Sequence, residues 1–404
     1  MTLAPDARRR LRRARGRARR APIVWLVVFG LVVLVALIVV GWLLVTWKVD
    51  AVVMAIPALV PLTIVLVTVH WLDRWEPEPP LLLALMAAYG AGAAVVGTLL
   101  TGNFLLDVAR DFLHDDQRVS AFSILVQGPI VEELIKGLGI VLLLLIARRE
   151  IDGPLDGFIY AALIGAGFAF TENIIYFVSS GSTGVDFVWL LVVRCILSPF
   201  AHALFAGLFG AAMGWAARRR EAWRFVAAGA VGMLLAIVVH AFWNGGSVLV
   251  LPLLGMDPSN PFAWIVSYLA LQVPLFGLCA WGLVKLQDHD LDIIRFRLDE
   301  YRRAGWFTPG EVRMITDWDA RRAAIRWGRS QPVEVDSAMR GFISDATRLA
   351  FAREHASVDK KDPDRRVIER RLLEATRGHR RVLNSAQRAR REAASGSDVV
   401  ASES

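Results

Sequence analysis

Three ionisable residues interrupt an apolar run: Glu132, Glu133 and Lys136 in GPIVEELIKGLGIVLLLLIARR, residues 128–149. On a helix Glu132 and Lys136 are four apart and share a face, and Glu133 and Lys136 are three apart, so the lysine can serve either carboxylate. If the run crosses a bilayer, the group lies roughly 18 Å deep by helical rise. A charged residue at a helix centre costs roughly 2.5–3.5 kcal/mol on insertion scales, which makes it a functional-site hypothesis by default. Pro129, four residues before Glu133, removes one backbone hydrogen bond and predicts a kink beside the group.

The next three apolar runs also carry polar residues. Glu172 and Asn173 close FAFTEN. His202 opens a stripe of small residues continued by Ala206, Gly210 and Gly214. His240 and Asn244 lie one turn apart in HAFWN, on one helix face. A similar stripe, Gly157, Ala161, Gly165, Ala169 and Asn173, is read as helix packing. Arg194 lies within two turns of the outer end of its run and is expected to snorkel.

Taken singly, an ion pair is as often structural as functional, and a lone histidine is more often a hydrogen-bonded core group than a catalyst. Eight such residues on four consecutive runs point to water activation. A buried carboxylate can act as a general base, and Asn244 can donate to a developing oxyanion. Two histidines and a glutamate are also a common zinc set. Here the ligands would come from different helices, with no HExxH on one face. The spacing leaves two options open: no cofactor, or a divalent metal such as zinc.

The elements that must position these residues are membrane spans. The chain is 55% hydrophobic and its apolar residues fall in long runs up to about residue 285. That pattern predicts an all-α polytopic membrane protein rather than a large globular enzyme. Eight spans are predicted, at 22–46, 51–70, 80–102, 121–147, 156–178, 187–216, 224–250 and 261–285. Nine arginines lie between Arg8 and Arg20. Abutting a span, this arm (1–21) reads as a positive-inside anchor, not a nucleic-acid arm. Loop charges then alternate, with Arg148, Arg149 and Arg218–Arg220 inside, which predicts cytoplasmic N- and C-termini. The first run is too long for a signal-peptide core and reads as a retained span. The two cysteines, Cys195 and Cys279, offer no disulfide framework or thiolate metal site.

The remainder, 286–404, reads as a soluble, partly helical cytoplasmic tail. In FTPGEVRMI, Thr308 is a predicted N-cap, Pro309 the first helical residue and Glu311 the capping-box partner. From about Asp359 the sequence is charged with few aromatics, and the last dozen residues are expected to lack fixed structure.

Five motifs in order resemble the PrsW family of intramembrane proteases: LDRWEPEP (72–79), EELIK (132–136), FAFTEN (168–173), AHALFAGLFG around His202, and HAFWN (240–244). This family is related to the CAAX-prenyl endopeptidase and bacteriocin-processing clan. The resemblance covers about residues 55–285, within a protease-like domain at 22–285. It implies hydrolysis of peptide bonds in membrane-anchored protein substrates, in the cell membrane, as in regulated proteolysis of an anti-sigma factor. It implies Glu133 or Glu132 as the water-activating base. His202, His240 and Asn244 would orient water and stabilise the oxyanion, with Lys136, Glu172 and Asn173 supporting. The second motif of the wider clan usually ends in histidine where this chain has Glu172; the resemblance leaves open whether His202 takes over that role or Glu172 is itself a ligand or a structural acid. The competing expectation is a proton- or ion-coupled transporter using the same buried residues. LDRWEPEP itself reads first as a structural turn, since its prolines cannot continue a helix.

Overall fold

The structure, a computed structural model, describes residues 27–181, 184–218, 221–257, 260–358 and 363–402. The Arg-rich arm lies outside the described residues. No strand occurs among them. By packing the chain divides into two units. One comprises residues up to Leu72 together with Glu78–Trp281, and the other comprises Asp73–Pro77 with Gly282–Ser404.

The first unit is built from α1 (Val27–Trp47), α2 (Val49–Leu72), α3 (Pro80–Leu113), α4 (residues 116–147), α5 (Pro154–Ser179), α6 (Val185–Ala217), α7 (Ala222–Leu253) and the start of α8 (residues 261–303). Among the described residues, seven helices are long and apolar enough to cross a membrane, namely all of these except α4. The chain is thus an all-α polytopic membrane protein. Helix α4 coincides with the fourth predicted span and is helical throughout. It stands apart because Glu132, Glu133 and Lys136 place three ionisable groups in the middle of its apolar run.

Helix α5 is the hub. It is buried along most of its length, including Tyr160, Ile164, Phe168, Thr171 and Phe177. Its small-residue stripe does what the sequence predicts. A Cβ on Gly157 would lie 2.1 Å from the Gly210 carbonyl oxygen, and one on Gly165 would lie 2.2 Å from that of His202. Only glycine lets the α5 and α6 backbones meet in this way. The second predicted stripe, on α6, supplies Gly210 to the same crossing.

Among the described residues four π turns widen the helices, at Gly90–Ala94, Ser123–Gln127, Val192–Leu197 and Tyr268–Gln272. The one at Ser123–Gln127 directly precedes Gly128–Pro129. It accommodates the proline ring where the sequence predicts a kink, and the α-helix restarts with Pro129 in its first turn.

The second unit contains the remainder of α8, α9 (Pro309–Thr316), α10 (Trp318–Arg329), α11 (Val333–Val358) and α12 (Pro363–Ser402). Its core includes Ile294, Leu298, Phe307, Ile315, Phe342, Leu349 and Leu383. The predicted cap of α9 is present. Thr308 Oγ1 accepts from the Glu311 N–H at 3.2 Å, and Glu311 Oε2 accepts from the Thr308 N–H at 2.7 Å. Helices α11 and α12 run antiparallel, with His379 against Gly341 and Arg353 against Glu369. The backbone of α12 stays helical to Ser402, through most of the segment expected to lack fixed structure. Its Ala- and Arg-rich sequence is a good helix former.

The packing boundary also differs from the predicted one. Helix α8 continues unbroken past residue 285 to Arg303, and the turn Asp73–Pro77 joins the second unit. The reason is Trp75, which is 5% exposed and belongs to that unit's core. Trp75 packs edge-on against Trp318 at 5.6 Å. Arg321, only 4% exposed, donates from Nη2 to the Trp75 carbonyl at 3.0 Å. Burial pulls the Arg321 guanidinium down to about 10, with Glu76 opposing.

Candidate functional site

Helix α4 presents Glu132, Glu133 and Lys136 toward α6 and α7. The Lys136 ammonium lies 2.7 Å from Glu133 Oε1 and 3.4 Å from Glu132 Oε2, as their three- and four-residue spacing dictates. Its carbonyl neighbour Ile135 accepts from the Tyr89 hydroxyl on α3 at 2.8 Å, which fixes this turn of α4. The lysine also lies 4.5 Å from the centre of the Phe168 ring.

Helix α6 delivers His202 because it breaks just before it. The helix is interrupted at Ser198, Pro199 and Phe200, and the Val193 carbonyl that ends the π turn accepts from both the Ser198 N–H at 2.8 Å and Ser198 Oγ at 2.7 Å. The helix restarts at Ala201. His202 Nδ1 then lies 3.0 Å from Lys136 Nζ and 3.6 Å from Glu132 Oε2, while Nε2 lies 3.0 Å from Glu172 Oε2.

Helix α7 supplies His240. Its Nδ1 lies 2.8 Å from Glu133 Oε1 and its Nε2 lies 3.9 Å from Glu132 Oε2. Phe205 stacks on the imidazole at 4.7 Å and 23°. The two histidine rings stand perpendicular, 5.2 Å apart.

One donor atom from each of Glu132, Glu133, His202 and His240 lies within 4.8 Å of the others. The two carboxylates are not equivalent. The Glu133 side chain is 1% exposed, whereas that of Glu132 is 14% exposed. Glu133 Oε2 is buried without a hydrogen-bond partner.

Glu172 joins the group through His202 and is held from the other side by Arg194, which also donates to Asn173 Oδ1 at 3.1 Å. Arg194 therefore does not snorkel. It turns inward over the Tyr176 ring and balances Glu172. Three carboxylates thus face two cations, Lys136 and Arg194, as burial of charge requires partners. A signal was present in the sequence. Glu172 and Arg194 lie at similar depth in consecutive, antiparallel runs.

Asn244 falls elsewhere. Its Nδ2 donates to the Ile124 carbonyl at 3.0 Å. That carbonyl lies in the π turn of α4, where the regular ladder is interrupted. Asn244 shares a face with His240 but meets this turn one level away from the carboxylates. The other predicted residues are brought together. Phe205 and Phe168 complete the lining; both lie in the motifs AHALFAGLFG and FAFTEN, but neither was given a role from the sequence, because apolar residues there match any packed helix.

The donor chemistry fits a metal. Two carboxylates and two imidazoles are hard and borderline ligands suited to a hydrolytic zinc. The orphaned Glu133 oxygen and the contact of Glu172 with His202 Nε2, leaving Nδ1 toward the cluster, resemble the carboxylate support common behind metal-bound histidines.

Fold and site together define a helical membrane protein with a partly buried Glu–Glu–His–His group. The family profile described as PrsW family intramembrane metalloprotease matches residues 78–278, which contain the whole group. The chain belongs to this family. It is similar to Protease PrsW of Geobacillus kaustophilus (strain HTA426), 28% identical over 138 residues, covering 34% of this chain and 55% of that one. It is similar to Protease PrsW of Clostridioides difficile (strain 630), 29% identical over 153 residues, covering 38% and 61%. Protease PrsW of Oceanobacillus iheyensis is 28% identical over 107 residues, covering 26% and 45%. The chain spans about half the length of the curated relatives it matches. No solved structure matches it.

Proposed function

We propose that this protein is an intramembrane peptidase that hydrolyses peptide bonds of membrane-anchored proteins. The observation that carries the reading is the convergence of Glu132, Glu133, His202 and His240 from three helices within 4.8 Å. Family membership supports it. The cell membrane, with both termini cytoplasmic, is the setting that the loop charges favour. A role in regulated proteolysis follows from the same family resemblance.

In this reading Glu132 is the base that takes a proton from water, because it is the carboxylate with an open side. Glu133 is enclosed. It holds the His240 Nδ1 and the Lys136 ammonium, so it orients the ring and keeps the lysine in place. Glu172 orients His202 through Nε2, and Arg194 fixes Glu172. Phe205 and Phe168 shield the imidazoles from bulk water, which strengthens each of these contacts. A metal would be held by His202, His240 and Glu133. When bound it would supply Lewis acidity and a lowered pKa for water. Asn244 has no step here, since its amide is engaged by the α4 backbone.

The test is purified full-length protein incubated with a panel of single-span membrane proteins. Wild type is expected to cleave at least one, Glu132→Gln none, and a chelator is expected to stop cleavage until zinc is returned. Equal cleavage by wild type and Glu132→Gln would remove the glutamate from the reaction.

A further inference from the structure

The break that precedes His202 leaves backbone groups of α6 without ladder partners, and each such group at membrane depth has to find another. The Val193 carbonyl takes both donors of Ser198. In a regular helix the Ala201 N–H would bond the Leu197 carbonyl. Here it turns to the Ser198 carbonyl at 3.2 Å. The Leu197 carbonyl accepts instead from the Tyr268 hydroxyl of α8 at 2.7 Å. This bond joins the last residue of one π turn to the first residue of another. Leu197 lies five residues before His202, so the bond is made at the entrance to the break.

Tyr268 is firmly seated. It is 9% exposed. Its ring stacks on Trp264, one turn earlier in α8, at 5.6 Å and 11°, and meets Trp243 of α7 edge-on at 6.2 Å. Trp264 in turn meets Trp189, which precedes the π turn of α6, at 5.3 Å. Trp243 stacks on Phe276 at 5.1 Å and lies 6.4 Å from Phe205, the ring that covers His240. Aromatic pairs in these arrangements hold one another beyond their burial. Rings from α6, α7 and α8 thus fix the direction of the Tyr268 hydroxyl. A phenylalanine would fill the same wall. The hydroxyl is the part that packing does not need, and it is aimed at a carbonyl that the break has freed.

We propose that Tyr268 is a positioning residue for His202. Its hydroxyl caps the Leu197 carbonyl and so maintains the interrupted form of α6. In that form His202 presents Nδ1 to Lys136 and Nε2 to Glu172. Without the cap, the chain regains a partner for Leu197 by returning the Ala201 N–H to it. That exchange rewinds the break and rotates the following residues about the α6 axis, carrying His202 off both contacts. The consequence for cleavage rests on the peptidase reading, whereas the hold on the break does not.

The test compares three full-length proteins in lipid nanodiscs: wild type, Tyr268→Phe, and a variant with p-aminophenylalanine at position 268, whose amine restores a donor on the same ring. Hydrogen exchange reads the break. The amides of residues 198–205 are expected to exchange about tenfold faster in Tyr268→Phe, because a buried acceptor has lost its partner, and to return to within about twofold of wild type with the amino ring. Wild-type exchange in Tyr268→Phe would overturn the proposal. Equally fast exchange in the amino variant would overturn it too, since the effect would then lie in ring packing. Cleavage by the same proteins separates positioning from substrate binding. Tyr268→Phe is expected to lower kcat about tenfold with KM unchanged, and the amino ring to restore it. A loosened break with wild-type kcat would overturn the role toward His202. A wild type that cleaves nothing would count against the peptidase reading, and the exchange comparison would still decide whether Tyr268 holds the break.

Discussion

Gly165 gives the sharpest test of how the site is positioned. A Cβ at this position would lie 2.2 Å from the His202 carbonyl oxygen, 2.6 Å from its carbonyl carbon and 2.9 Å from Ala203 Cα. All three atoms are backbone, so no rotamer change relieves the clash. Ordinary contact begins near 3.4 Å, so Gly165→Ala must push the start of the second half of α6 away by about 1 Å. Overpacking of this kind costs about 1–3 kcal/mol. The shift acts on His202 itself, whose contacts with Glu172 and Lys136 are both 3.0 Å and would pass out of hydrogen-bond range. A displacement of about 1 Å in a catalytic group can cost about 100-fold in rate. The assay pairs the midpoint of thermal unfolding with the cleavage rate. Gly165→Ala is expected to lower both, the rate by about 100-fold. Gly277→Ala, where nothing lies within 4 Å of the added Cβ, is expected to keep the rate and to gain up to about 1 kcal/mol from helix propensity. Wild-type stability and rate in Gly165→Ala would refute the close approach of α5 and α6 and the positioning argument built on it.

Three further outcomes are expected. Arg194→Ala leaves Glu172 without its cation and should destabilise the protein by about 2–4 kcal/mol in thermal or denaturant unfolding. The double change Arg194→Met with Glu172→Gln should cost less than Arg194→Ala alone, because no unpaired charge remains; an equal or larger loss would count against the pairing. Thr308→Ala should cost about 1 kcal/mol, read as roughly fivefold faster exchange of the amides at 309–311, with the membrane helices unaffected.

Much of this architecture was legible in the chain because its signals are local. Span lengths, the Thr308 cap and the glycine stripes of α5 and α6 depend on neighbours a few residues away. The site was legible because ionisable residues at membrane depth are expensive and few. What the sequence could not give was rotation about each helix axis. A π turn inserts one residue and turns everything downstream by about 100°. Such a turn includes Arg194, and the break at Ser198–Phe200 separates it from His202. The arginine expected to reach for solvent therefore faces Glu172. Another π turn precedes Gly128, and its interrupted carbonyl draws the amide of Asn244. Long-range packing was equally hidden. LDRWEPEP reads as a turn and is one, but no spacing rule indicates that Trp75 belongs to a core assembled more than 200 residues later.

The central claim, that Glu132 activates water at a cluster completed by Glu133, His202 and His240, is tested most directly by oxygen labelling. Full-length wild type and Glu132→Gln would each be incubated with a cleavable single-span protein in ¹⁸O-enriched water, and the new C-terminus read by mass spectrometry. The account predicts one labelled oxygen in the new carboxylate for wild type and no product for Glu132→Gln, with both proteins unfolding at the same temperature within a few degrees. A labelled product formed at the wild-type rate by Glu132→Gln would contradict it.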